Sequence, residues 1–267
     1  MQQSHTTTAH PDAITATRTR SWIYVGLALS MSATAFWGFS YTYFMPLLAG
    51  AYPQVSPLVH LHGWSFFLWF LLLPVQAFLM AKGQRRTHMT LGAASVALAA
   101  VMVFTGILVA SVRIAQGLSA TEPDEFTAFW KVFGQLIMYN MALFVGFYGT
   151  AVLRRDQPDL HKRMMVLAGA SVLPAAIFRI TVALGGFYWL ATPGWVMPAC
   201  MLLPSMFIVA AMMYDRIATG VIHGAYKIGL AALLLVYAFG LVTAGTPVGD
   251  AVSRVMAQFA HVFGVLY

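Results

Sequence analysis

The chain has 267 residues, 60% of them hydrophobic and only 9% charged, with a formal net charge of +7. Soluble domains carry about 25% charged residues, so the polar side chains are too few to cover a globule in water. A water-soluble enzyme, a disordered chain and a nucleic-acid-binding domain are therefore poor fits. The fifteen basic residues fall in small groups between apolar runs, a pattern of membrane topology rather than of a polyanion-binding face. Cys200 is the single cysteine, which excludes an internal disulfide or a Cys-x-x-Cys site.

The fold class expected is all-α, a polytopic transmembrane helix bundle. A helix needs about 20 apolar residues to cross a ~30 Å hydrocarbon layer. Seven stretches qualify: 22–48, 57–81, 91–113, 128–153, 163–185, 195–214 and 226–244. Residues 1–20 are polar and read as a flexible cytoplasmic tail, and the first span as an uncleaved signal anchor. The seven-span domain takes residues 21–247. Residues 248–267, with Val255, Phe259, Val262 and Phe263 at near-helical spacing, read as an amphipathic or interfacial eighth helix. Eleven Lys and Arg sit in the tail and in the connections near 82–90, 154–163 and 215–227, against three on the other side. The positive-inside rule then puts the N-terminus in the cytoplasm and the C-terminus outside an inner (plasma) membrane.

The second span opens with Val59-His-Leu-His-Gly-Trp64. On a helix His60 and His62 point about 200° apart, so one metal could join both only if the first turn unwinds. As single ligands each suits haem or a metal; as plain interfacial residues each would bond backbone or water. His62, Trp69 and Gln76 recur at intervals of seven, which predicts a buried polar stripe. His88, His161 and His223 each stand near the start of a following span at the cytoplasmic side. Two of them could meet across the bundle to hold haem iron, or all three could be surface residues. The fourth span carries Lys131, Gln135 and Tyr139 at i, i+4 and i+8, with Asn140 alongside, either lining a cavity or joining helices. Arg179 lies deep in the fifth span, where a cation needs a partner. Three are available in principle: the acidic loop Glu122/Asp124/Glu125, helix carbonyls, or an anion such as a haem propionate. Every acidic residue lies outside the seven stretches, which disfavours carboxylate-bridged di-iron and carboxylate proton-relay sites. Pro74, Pro174, Pro198 and Pro204 are expected to kink their spans.

His60-x-His62-Gly63, Gln76 and His88-x-x-Leu-Gly92, with His161-Lys-Arg-Met-Met165 further on, resemble a group of uncharacterised bacterial multi-pass inner-membrane proteins. Met89 stands where members usually have arginine. The His-x-His opening is also similar to a haem-ligating helix of haem–copper oxidases, which would make His60 or His62 an axial ligand. Cytochrome b561-type bundles offer a looser likeness that would use His88 and His161. The resemblances imply haem b as cofactor, and a membrane redox protein with Arg179 neutralising a propionate. The alternatives are a transporter or binding protein with an outer-half cavity lined by Arg179, Gln135 and Asn140, and a non-catalytic scaffold. Expected partners are the lipid bilayer, haem or another small ligand, and a membrane redox partner or second copy of the chain.

Overall fold

The computed structural model describes residues 11–119, 125–186 and 194–263, with side chains in 22–119, 129–186 and 194–262. Among the described residues there are helices and no strands. Helix α1 (Pro11–Phe39) passes into a five-residue π-helical turn, Ser40–Phe44, and a final turn α2 (Met45–Leu48). Then come α3 (Pro57–Ala81), α4 (Arg85–Ser119), α5 (Glu125–Leu153), α6 (Pro158–Ser171) and α7 (Pro174–Gly185). Helices α8 (Val196–Leu202), α9 (Ser205–Thr219), α10 (Gly224–Thr243) and α11 (Pro247–Phe263) complete the chain.

Six helical segments are long and apolar enough to cross a bilayer: Trp22–Leu48, Pro57–Ala81, Arg85–Ser119, Phe129–Leu153, Val196–Thr219 and Gly224–Thr243. Helices α6 and α7 together meet the same test but are bent by 43°. The bend falls where Pro174 removes a backbone donor, and Val172, two residues earlier, leaves the helical region with φ −105° and ψ 7°. Pro74 acts differently, because α3 runs on through it. The Phe70 carbonyl that loses its i+4 donor lies 2.5 Å from Ser32 Oγ of α1, which supplies the missing hydrogen bond.

The packing has the polarity of a lipid-bathed bundle. On α3, Phe67, Trp69, Phe70, Leu73 and Gln76 are buried, whereas Leu61, Leu68, Leu71, Val75 and Phe78 are exposed along the opposite stripe. An exposed apolar stripe of that length finds its solvent in hydrocarbon, not water. Helix α3 packs between α1 and α4, α4 against α5, and α5 against α6, with α10 beside α5 and α6.

Two boundaries differ most from the sequence reading. Residues 11–20, expected in the tail, continue α1 as helix, while 1–10 lie outside the described residues. Helix α4 is 35 residues long rather than the 23 of its apolar stretch, because nothing between Arg85 and Ser119 breaks a helix. Polar Arg113 and Gln116 bond each other along its extension. The C-terminal segment is a helix that packs on α4 and α5, with small buried Ser253, Ala257 and Ala260 on one face, while Gly249 lies against the Thr243 carbonyl at the end of α10. Small residues let the two backbones approach closely. Val248, Val255, Phe259 and Val262 remain exposed on the other side.

Candidate functional site

The sequence-nominated residues divide into three groups. At the opposite end from the basic connections, His60 and His62 stand in regular helix on α3 and face different neighbours. His60 Nδ1 is 2.9 Å from Tyr43 Oη, with the Tyr52 ring 5.6 Å away. His62 Nδ1 is 3.4 Å from Thr105 Oγ1 on α4, and its ring packs on Phe66 at 4.7 Å. Gly106 beside it leaves room for Met141, since a methyl there would lie 2.9 Å from Met141 Sδ but at an ordinary contact distance of 3.7 Å from His62. The pair does not converge, as the 200° separation requires.

Arg179 lies near this end on α7. Its Nε donates to Thr42 Oγ1 at 3.0 Å, an NH1 donates to the Ala175 carbonyl at 2.7 Å, and the guanidinium lies 4.3 Å from the Phe39 ring centre. Of the three expected kinds of partner, helix carbonyl is therefore seen; residues 120–124 lie outside the described set. The π-helical turn arranges much of this end, because it turns Thr42 toward Arg179 and Tyr43 toward His60. A π turn is not readable from apolar periodicity, so neither Thr42 nor Tyr43 was nominated.

The fourth-span residues make a second group directed at α10 and α11. Lys131 pairs with Asp250 of α11 at 2.8 Å. Gln135 donates to Tyr139 Oη at 2.9 Å, and Tyr139 meets Phe239 with ring centres 5.9 Å apart. Asn140 is buried, with no hydrogen-bond partner for its Oδ1 among the described residues. Arg179, Gln135 and Asn140 thus have separate surroundings rather than one shared cavity. Two cavities, of about 780 and 400 Å³, lie elsewhere. The larger is lined by Leu27, Thr34, Thr181 and Trp195 among others, and the smaller by Leu143, Gly146, Met164 and Gly229 among others.

The third group, at the basic end, does converge. The imidazoles of His88 on α4 and His161 on α6 lie 6.2 Å apart between centres, with planes at 86°. His161 Nδ1 is 2.8 Å from the Ala151 carbonyl, which can only accept, so Nδ1 carries a proton and, in the neutral ring, the lone pair is on Nε2. Ala151 is in the last turn of α5, where a carbonyl needs an outside donor. His88 Nδ1 lies 3.3 Å from the Gln76 backbone carbonyl. The Gln76 amide satisfies its surroundings in one orientation: its nitrogen donates to His88 O at 3.1 Å and His88 Nδ1 at 2.6 Å, and its oxygen accepts from Gly92 N at 2.8 Å. Gln76, His88 and Gly92, widely spaced in the sequence, therefore touch. Below them Ser95 bonds Tyr148 Oη at 2.8 Å, and Trp69 packs edge-on against Phe144 and Tyr148. His223, the third loop histidine, is instead a cap, accepting from Ala225 N at 3.1 Å at the start of α10.

No family model, curated protein or solved structure matches this chain. The donor set must therefore be judged by its own chemistry. His161, rooted through Nδ1 in the Ala151 carbonyl, has the arrangement typical of metal-bound histidine, whose remote nitrogen is the ligand, while His88 Nδ1 meets both the Gln76 amide at 2.6 Å and the Gln76 backbone carbonyl at 3.3 Å. Among the described residues no three or more His, Cys, Asp or Glu side chains group to hold an ion. An ion on its own usually takes three or four protein ligands. Haem iron brings four porphyrin nitrogens and takes its two axial ligands from the protein, so a pair is the right number. His88 and His161, with ring centres 6.2 Å apart, are the two residues that would hold such a group, each through its Nε2.

One strong pair was missed altogether. Arg163 and Asp215 are both buried and bonded twice, Nε to Oδ2 at 2.8 Å and NH2 to Oδ1 at 2.9 Å, tying α6 to α9. Both read as loop charges because they flank apolar stretches. The signal was present nonetheless: Asp215 continues the buried face of Ile208 and Ala211, and Arg163 that of Val166, Leu167 and Ala170, at helical spacing.

Proposed function

We propose that this chain is a seven-span inner-membrane redox protein that holds one haem b between His88 and His161. The bent α6–α7 pair supplies the seventh span, since Pro174 interrupts the helix without redirecting it back out of the bilayer. The N-terminus then lies in the cytoplasm, along with the basic end and its histidine pair. The observation that carries the reading is the approach of two imidazoles from different helices, with ring centres 6.2 Å apart. Bound there, haem would supply one-electron chemistry.

The chain's own contribution is positioning and charge. Ala151 fixes the His161 ring so that Nε2 is its donor nitrogen. Arg85 and Arg86, neighbours of His88 in sequence, offer cations to the propionates, whereas Lys162, beside His161, is paired with Asp159. Arg179 does not serve this site. It stands 18 residues beyond His161, roughly 27 Å along the helices, so the propionate role expected for it passes to the basic end. His60 and His62 bind no iron on this reading and anchor α3 to Tyr43 and Thr105. The transport alternative has less support, since its residues face separate neighbours.

Titrating haem b into the purified protein and following the visible spectrum tests this. One equivalent is expected to bind to the wild type, and to His60→Ala and His62→Ala alike. Uptake should fall by at least tenfold in His88→Ala and in His161→Ala. Uptake that depends on His60 or His62 instead would move the site to the other end of the bundle, and no uptake by the wild type would remove it.

A further inference from the structure

The contact between Gln76 and His88 has a chemical consequence for how the pair can be loaded. Haem iron bound at His88 Nε2 requires the ring proton on Nδ1. The satisfied orientation of the Gln76 amide demands the reverse, because its N–H donates into Nδ1 at 2.6 Å and a protonated nitrogen cannot accept. A neutral His88 so held carries its proton on Nε2, the nitrogen that iron would need. His161 is in the opposite condition, locked by the Ala151 carbonyl with Nε2 bare. The two halves of the site are therefore unequal: one ligand is ready and the other is capped.

We propose that Gln76 is a tautomer lock, which keeps His88 in its non-ligating form until the amide turns over. Turning exchanges the amide atoms, so the oxygen accepts from Nδ1–H and Nε2 is left bare. The proton moves from one ring nitrogen to the other through solvent, and His88 has no net gain or loss of charge. The cost falls on the backbone of α4. The turned amide sets its nitrogen against the Gly92 N–H at 2.8 Å and its oxygen against the His88 carbonyl at 3.1 Å. Two favourable contacts become donor–donor and acceptor–acceptor contacts, which disfavour the turned form. Gln76 is thus a positioning residue that restrains loading and sets the basicity of one ligand. Glutamate at this position would act oppositely: a carboxylate keeps the Gly92 N–H bond and accepts from Nδ1–H, leaving one unfavourable contact, with the His88 carbonyl, in place of the turned amide's two. It would hold the ligating tautomer and make the imidazole a stronger donor.

The loading half of this inference rests on iron binding at the pair, whereas the tautomer half does not, and the experiment separates them. Nitrogen-15 NMR of histidine-labelled, haem-free protein in detergent at pH 8 reads the tautomer of His88. The wild type is expected to show the proton on Nε2. In Gln76→Leu the backbone carbonyl of residue 76, 3.3 Å from Nδ1 in the wild type, remains and can only accept, so the proton should move to Nδ1. Gln76→Glu should give the same tautomer. A wild-type His88 protonated on Nδ1, or one still protonated on Nε2 in Gln76→Leu, overturns the lock. In the haem arm, Gln76→Glu is expected to bind on the order of tenfold more tightly than wild type, with a more negative reduction potential. Unchanged affinity and potential overturn the restraint on loading. Failure of the wild type to take up haem would overturn the cofactor reading and leave the tautomer result standing.

Discussion

Arg163→Ala is expected to lose about 3–5 kcal/mol of stability, because Asp215 is left as a buried charge without its partner. Both side chains are nearly inaccessible, at 6% and 3% exposed, so water cannot replace the lost guanidinium. Removal also frees the Asp159 carbonyl that Arg163 NH1 bonds at 2.6 Å and leaves the Tyr226 ring, 5.9 Å from the guanidinium, without its cation. A lysine cannot span both carboxylate oxygens, so Arg163→Lys should recover only part of the loss. The double replacement Arg163→Met with Asp215→Leu should recover most of it, since the pair's own desolvation cost then disappears as well. Thermal unfolding in detergent measures the series, and Arg163→Ala should lower Tm by roughly 10 °C. A change of only a degree or two would mean that α6 and α9 are held together by apolar packing alone.

Gly38→Ala should cost about 1–3 kcal/mol by forcing two backbones apart. A Cβ at Gly38 would overlap the Ala176 carbonyl oxygen and come within 2.8 Å of its carbon and Cα. Backbone cannot swing aside as a side chain can, so α1 and α7 must separate. One helical turn further along the same contact, Arg179 bonds Thr42, and the separation would lengthen that bond. The comparison is Gly26→Ala on the same helix, where nothing lies within 4 Å of the added methyl. That substitution should be stabilising by ~0.5–1 kcal/mol, through reduced backbone freedom in the unfolded chain. Equal effects from the two substitutions would contradict the close approach of α1 to α7.

Much of the bundle could be read from the order of residues because hydrocarbon imposes a simple length rule. The stretch at 57–81 matches its helix end to end, since polar or Pro-containing connections bound it on both sides. The rule fails where helix and apolar stretch are not the same thing. Helix α4 outruns its stretch because arginine and glutamine are good helix formers, and α1 outruns its own for want of a breaker. The candidate site was half legible. Histidines near span entrances were visible, and so was the heptad spacing of His62, Trp69 and Gln76. Which loop histidines would meet was not, because that depends on which helices become neighbours: α4 and α6 bring His88 and His161 together, while His223 is taken up as a cap. The Arg163–Asp215 pair stayed hidden for the same reason, each charge being innocuous until the other helix is placed beside it.

Electron paramagnetic resonance of the haem-loaded ferric protein tests ligation by the histidine pair most directly. Two axial imidazoles give low-spin iron, so the wild type should show a low-spin signal that turns high-spin in His161→Ala. A high-spin wild type, or a low-spin signal that survives the loss of His161, would contradict iron held between His88 and His161.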